Sequence, residues 1–292
     1  MSTRSSTSEP PSAWARIGGL IRVGHPFPSV LNGIVAGAVA IIAGADGPIA
    51  VRLAVAMTAL QVSIGALNDI VDAPTDAVGN PAKPIPTGLS LSIAWAVTIG
   101  GAGIGLALVA AIGFAVTMVA AAGLAVGYAY DLRFKGTIWS WVPFAVGIPL
   151  VPVFGWLGGA GRLPDAFAVL VPMAVLAGAG IAVANARADL DRDRAAGVDS
   201  VAARLGDRRA WAVNAALLAV VIAIALGSMW GRSASTVELA AAIGAGAVIG
   251  LGMIAGSRSG SRGRPFAWEI EAIGLGLLGA AWLAGVAGRV HP

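Results

Sequence analysis

The chain reads as an all-α polytopic membrane protein: nine transmembrane helices, in two four-helix pseudo-repeats plus one, around a central cavity. Three observations predict this. Of its 292 residues 57% are hydrophobic and 12% charged, with a mean hydropathy of +0.83; soluble domains carry about 25% charged residues. Charge-free windows near the ~20 residues a helical span needs recur along the chain. A short acidic pattern occurs twice, four windows apart. The 41 glycines suit helices that approach closely through small residues. The absence of cysteine excludes disulfides and thiolate metal sites.

Residues 1–19, "MSTRSSTSEPPSAWARIGG", are polar and rich in Pro and Ser, with no secretory apolar region, and are expected to form a disordered tail. Residues 20–292 form the membrane domain. The windows fall near 23–45, 53–68, 88–110, 114–130, 138–160, 166–186, 210–230, 239–257 and 272–288. The third and fourth share one uncharged stretch, which suits two spans with a tight turn near Gly113. Glu269 and Glu271 stand at the start of the ninth, where a helix N-terminus favours acids; the other reading turns them toward the cavity. An odd number of spans separates the termini. Fifteen of the nineteen Lys and Arg fall on the N-terminal side, which makes that side cytoplasmic. This bias accounts for the net charge of +4 without a nucleic-acid partner. The expectation is a multi-pass plasma-membrane protein with its N-terminus and site facing the cytoplasm.

The second window ends in "ALNDIVDAPTD", residues 66–76. Asn68, Asp72 and Asp76 are spaced i, i+4, i+8 and share one helix face, with Asp69 beside them. Pro74 ends or kinks that helix, which leaves Asp76 less firmly placed. The sixth window ends in "NARADLDRD", residues 185–193, where Asn185, Asp189 and Asp193 repeat the spacing around Asp191. An even number of spans separates the two stretches, so they face the same side. A single Asp cluster at a helix end is usually a solvated loop. Two with matched spacing on one side need something positive between them, because carboxylates near the membrane are costly and like charges repel. All-oxygen ligands select a hard cation, Mg²⁺ above all. It binds through one or two carboxylates and completes its shell with water and phosphate oxygens. Two facing acidic helix ends therefore suit a diphosphate carried by magnesium.

These stretches resemble those of the UbiA superfamily of intramembrane prenyltransferases. "NDIVDAPTD" matches its first motif in full, and "KPIPTG" at 83–88 is similar to the turn that follows it. "DLDRDRAAGVDS" is similar to the second motif, "YAYDLRFKGT" loosely to the connector after the fourth span, and "RVGHPFPSVLN" to the first-helix entry. The resemblance covers nearly the whole chain. It implies two Mg²⁺ ions that bridge the acidic motifs to an isoprenyl diphosphate, ionisation to an allylic cation, and attack by an electron-rich acceptor, with the prenyl tail in an apolar tunnel.

On that basis Asn68, Asp72, Asp189 and Asp193 are the expected metal ligands, and Asp69 and Asp76 either ligate or support the ligands. Lys83, Lys135 and Arg194 are the diphosphate candidates; their bland reading is ordinary cytoplasmic charge. Arg22 and Asn32 are assigned to substrate binding at the first span. His25 reads as a helix-end hydrogen-bonder. Gln61 either bonds another helix or touches the acceptor. Tyr128 and Tyr130 are interface anchors by default, with a cation-stabilising role for Tyr128 and an acceptor-binding role for Tyr130 as the functional readings. Catalysis is assigned to Asp72, Asp189, Lys135 and Tyr128. Trp139, Trp141 and Trp156 read as anchors or packing.

The implied function is Mg²⁺-dependent transfer of an isoprenyl group to an aromatic, quinone-precursor-like acceptor. The alternatives are another acceptor (a chlorin, a lipid glycerol or an internal alkene) or a cation transporter. A transporter predicts broken or charged helices at mid-bilayer, whereas these acids cluster at one edge. Acceptor, prenyl length and oligomeric state are not legible.

Overall fold

The computed structural model describes residues 13–258, 260 and 263–286. Among them the chain is helical, without strands. The expected tail is described only from residue 13, and there it departs from the expectation: residues 13–19 open a helix, α1 (Ala13–Val23), rather than continuing a disordered segment. The chain then turns at His25, held in the left-handed region at φ 47°, into α2 (Pro26–Ile42). Pro26 suits the first helical position, where no backbone donor is needed.

α3 (Gly47–Gly79) is the longest helix, at 33 residues. Asp46 caps it by accepting from the Ile49 N–H at 2.8 Å, and Pro48 pre-sets the first turn. The helix runs through Pro74 and on to Gly79, so the whole first acidic stretch is helical. Then come α4 (Leu91–Ala110), capped by Ser90, and α5 (Phe114–Ala129), which ends in a π-helical turn over Tyr130–Phe134. The second half opens with α6 (Trp141–Ala160) and α7 (Phe167–Ala188). Two short helices follow, α8 (Leu190–Ala195) and α9 (Val201–Leu205), before α10 (Asp207–Gly231), α11 (Thr236–Arg258) and α12 (Arg264–Val286).

Among the described residues eight helices are long and apolar enough to cross a membrane: α3, α4, α5 with its π turn, α6, α7, α10, α11 and α12. The first expected span corresponds to α2, which at seventeen residues falls short of that group. With a rise of 1.5 Å per residue it reaches about 25 Å, the lower limit for a bilayer core. The nine expected windows therefore correspond, among the described residues, to eight helices of that length and one shorter apolar helix.

The halves pack in parallel order. α2, α3, α4 and α5 are successive neighbours, as are α6, α7, α10 and α11. α12 packs on α11, α7 and α2 and closes the ring. The main buried core joins α2, α6, α7, α10, α11 and α12 through residues such as Val39, Trp156, Leu218 and Trp282. Trp156 is buried against Phe167, consistent with packing. Trp139 is exposed.

The ninth span begins eight residues earlier than the charge-free window, at Arg264. Glu271 therefore lies within α12, not at its start. It is 2% exposed and accepts from Asn214 Nδ2 at 2.9 Å. A charge-free window stops at the first acid; a carboxyl that finds a polar partner inside the bundle is invisible to it.

Between α2, α6, α7 and α12 lies a cavity of ≈ 130 Å³. Its walls include Val39, Val151, Met173, Ile181 and Leu283, and Asn32 is the one lining residue with a polar side chain.

Candidate active site

The site assembles where α3, the π turn and α7 end. On α3, Asn68 is 9% exposed and Asp69 2% exposed. Two groups of side chains reach them. Asp69 Oδ1 accepts from Lys83 Nζ at 2.6 Å and lies 2.9 Å from His25 Nε2. The Lys83 ammonium is also 3.4 Å from that imidazole. This joins α3 to the α1–α2 bend and to the loop after α3. Arg22 reinforces the same corner by donating to the Ala82 carbonyl at 2.7 Å.

The second group comes from the π turn. Lys135 N–H donates to Tyr130 O at 2.8 Å, a five-residue reach. Such turns recur at functional sites. The turn carries Asp131 and Lys135 to Asn68. Asn68 Nδ2 donates to Asp131 Oδ1 at 2.7 Å, and Lys135 Nζ donates to Asn68 Oδ1 at 3.0 Å. Lys135 also pairs with Asp72. Gly127 makes this approach possible: a Cβ there would come within 2.3 Å of Ile64 on α3.

The second acidic stretch is held differently. Asp189 closes α7 and opens α8 at φ −94°, ψ 0°. Its side chain, 41% exposed, pairs with Arg192. Asp191 is exposed and meets Arg264 at 3.2 Å. Asp193 is half-buried, and burial pushes its carboxyl above the usual carboxylate range, a Ser200 hydrogen bond opposing and the Asp189 charge adding to the shift. Arg194 is exposed on α8.

The two stretches share one electrostatic neighbourhood. Tyr130 lies within reach of the charges of Asp72, Asp131, Asp189 and Asp193, and Asp193 within reach of Lys135. The Tyr130 ring packs edge-on against Phe144, 5.2 Å between centroids. Tyr128 is elsewhere: its hydroxyl is 2.7 Å from Ser63 Oγ, which donates to Thr98 O. It ties α5 to α3 and α4. Gln61 Nε2 donates to Met57 Sδ at 3.8 Å, one turn back on its own helix. Asn32 lines the cavity. Asp131 is the site residue that the sequence reading passed over; the only signal for it was an isolated acid inside "YAYDLRFKGT".

Among the described residues no three acidic or histidine side chains gather closely enough to hold a metal alone. The donor set nevertheless fits Mg²⁺. Buried Oδ2 atoms of Asp69, Asp76 and Asp131 lack hydrogen-bond partners, the chemistry is carboxylate and amide oxygen, and Mg²⁺ takes only one or two protein carboxylates beside phosphate and water.

Residues 29–285 match the UbiA prenyltransferase family. The chain is 30% identical to the digeranylgeranylglyceryl phosphate synthase of Natronomonas pharaonis over 71% of its own length and 76% of that protein. It is 30% identical to the chloroplastic chlorophyll synthase of Oryza sativa subsp. japonica over 48% of its length, spanning only 40% of that relative. The fold is similar to that of a UbiA homologue from Archaeoglobus fulgidus solved with DMAPP and Mg²⁺, at TM-score 0.68, 19% identity, and 89% and 99% of the two chains. The chain belongs to the UbiA prenyltransferase family.

Proposed function

We propose that the protein transfers an isoprenyl group from a prenyl diphosphate to an acceptor, at the cytoplasmic side of the plasma membrane, with Mg²⁺ as cofactor. The observation that carries this reading is the family match over residues 29–285, supported by Tyr130, which feels the charges of Asp72 on α3 and of Asp189 and Asp193 at the α7–α8 junction. Asn68, Asp72 and Asp76 from α3 and Asp189 and Asp193 from α7–α8 would hold the metal. When bound, Mg²⁺ supplies Lewis-acid neutralisation of the leaving diphosphate. Lys135 adds positive charge at Asp72, and Lys83 and Arg194 do so at the rim. A fixed charge aimed at a leaving group stabilises the charge that develops there. The cavity walls offer the prenyl tail an apolar bed and keep water from the allylic carbon.

For the acceptor we favour an electron-rich aromatic, supported by the "YDLRFKGT" connector. The second reading is a glycerol phosphate lipid, favoured by the long match to the Natronomonas synthase. Membranes given labelled prenyl diphosphates and a panel of acceptors test both. Labelled aromatic product with Mg²⁺, and none in EDTA, is the expected outcome. Turnover undiminished by EDTA would refute the metal's role, and product from the glycerol phosphate alone would replace the aromatic acceptor.

A further inference from the structure

Asp131 carries no role in the reading above, yet it is 4% exposed and bonded directly to Asn68. A primary amide has two unlike ends. The oxygen only accepts and the NH₂ only donates, while a carboxylate accepts and an ammonium donates. Asn68 lies between one of each: Asp131 takes its Nδ2–H at 2.7 Å, and Lys135 Nζ gives to its Oδ1 at 3.0 Å. Turning the amide over would set oxygen against carboxylate and NH₂ against ammonium. The pair therefore selects one orientation.

We propose that Asp131 is a positioning residue, which fixes the Asn68 amide so that its oxygen, the only atom of that side chain able to bind a hard cation, faces the Lys135 and Asp72 side. The inference rests on the reading of the first acidic stretch as part of a Mg²⁺–diphosphate clamp. An asparagine free to turn would present NH₂ to the cation part of the time. A carboxyl oxygen that accepts from its NH₂ removes that state. A buried carboxylate is expensive, and among the described residues Asp131 has the Asn68 amide, not a basic group, as its side-chain hydrogen-bond partner. The π turn and the close approach at Gly127 bring Asp131 to this place. Its second oxygen, buried without a hydrogen-bond partner, defines the competing role of direct ligand, and the test separates the two.

The test uses the full chain in detergent, with Mn²⁺ as a spectroscopic substitute for Mg²⁺ and inorganic diphosphate present. Bound Mn²⁺ is followed by electron paramagnetic resonance, and melting in EDTA checks the fold. Asp131→Ala is expected to weaken Mn²⁺ binding about tenfold or more, the usual scale for losing an outer partner of a ligand. Asp131→Asn should recover most of the affinity, since its carbonyl still accepts from Asn68. Asn68→Asp gives a ligand with oxygen at both ends, which needs no orienting. In that background Asp131→Ala should cost nothing, or tighten binding by removing a neighbouring like charge. This pair decides the matter even if Asp131→Ala alone folds poorly. Asp131→Ala weakening the Asn68→Asp protein, with Asp131→Asn no better than alanine, would make Asp131 a ligand and overturn the inference. Unchanged binding in Asp131→Ala overturns it too. A wild type that binds no Mn²⁺ overturns the clamp reading and the inference together.

Discussion

On α3, Asn68 and Asp69 are buried and bonded to His25, Asp131 and Lys135, 44 to 67 residues away in sequence. At the α7–α8 junction Asp189 is 41% exposed and pairs with Arg192, three residues on. The spacing of the two stretches is the same, and their support is not. The first is fixed by three elements before any ligand arrives. The second sits at a helix break, where Asp189 is held by a local exposed pair that contributes little and Asp191 by Arg264 of α12. Shared spacing sets which chemistry both ends can do; packing buries the first end and leaves Asp189 of the second exposed.

The largest effect expected is on activity, and there the two ends should be equal. Asp72→Ala and Asp189→Ala should each lower turnover of prenyl diphosphate at least ~10²–10³-fold, the scale for losing one charge-stabilising group. A tenfold difference between them would break the idea that both hold the same metal and diphosphate.

Stability should separate them. Asp69→Ala leaves Lys83 and His25 without their carboxylate at a 2% exposed position. Breaking such a buried pair costs about 3 kcal/mol or more. Asp189→Ala should stay within ~0.5 kcal/mol, as exposed substitutions do. Unfolding of both in graded denaturant measures the gap; equal losses would erase the contrast.

A smaller and sharper difference concerns sign. Asp72 is paired with Lys135, so Asp72→Asn should lower the melting temperature without metal. Asp193 has a raised pKa in the folded state, from burial and the charge of Asp189. Stability linked to it is present at acid pH, where it is protonated, and is lost as pH rises from the ordinary carboxylate range through its raised value. Asp193→Asn should therefore raise the melting temperature at neutral pH and remove that part of the pH dependence. The smallest effect is Arg192→Ala, about 0–1 kcal/mol, read in the same melts.

The helical class, most spans and both acidic stretches were legible because composition and spacing encode them directly. Charge-free windows locate hydrocarbon rather than helix, which is why α3 extends far past residue 68 and α12 starts before 272. Asp69 was legible as part of the motif, but not its bonds to His25 and Lys83, since those depend on how the α1–α2 bend packs. Asp131 was passed over for the same reason. A lone acid in a connector has no period, and the π turn that aims it has no sequence signature. Tyr128 was legible as a polar ring near the motif, but not its hydroxyl's contact with Ser63, which depends on how α5 packs on α3.

The most direct test of the central claim is a set of thermal melts in detergent of wild type, Asp72→Asn and Asp189→Asn, with and without Mg²⁺ plus a non-hydrolysable prenyl diphosphate analogue. Binding to the folded state stabilises it by about 2.7 kcal/mol at a hundredfold excess over Kd. The wild type should gain on that order, and each variant should lose most of the gain, although the substitutions lie on different halves of the chain. Equal gains in all three proteins, or a gain lost only in Asp72→Asn, would mean that the two acidic stretches do not hold one metal–diphosphate between them.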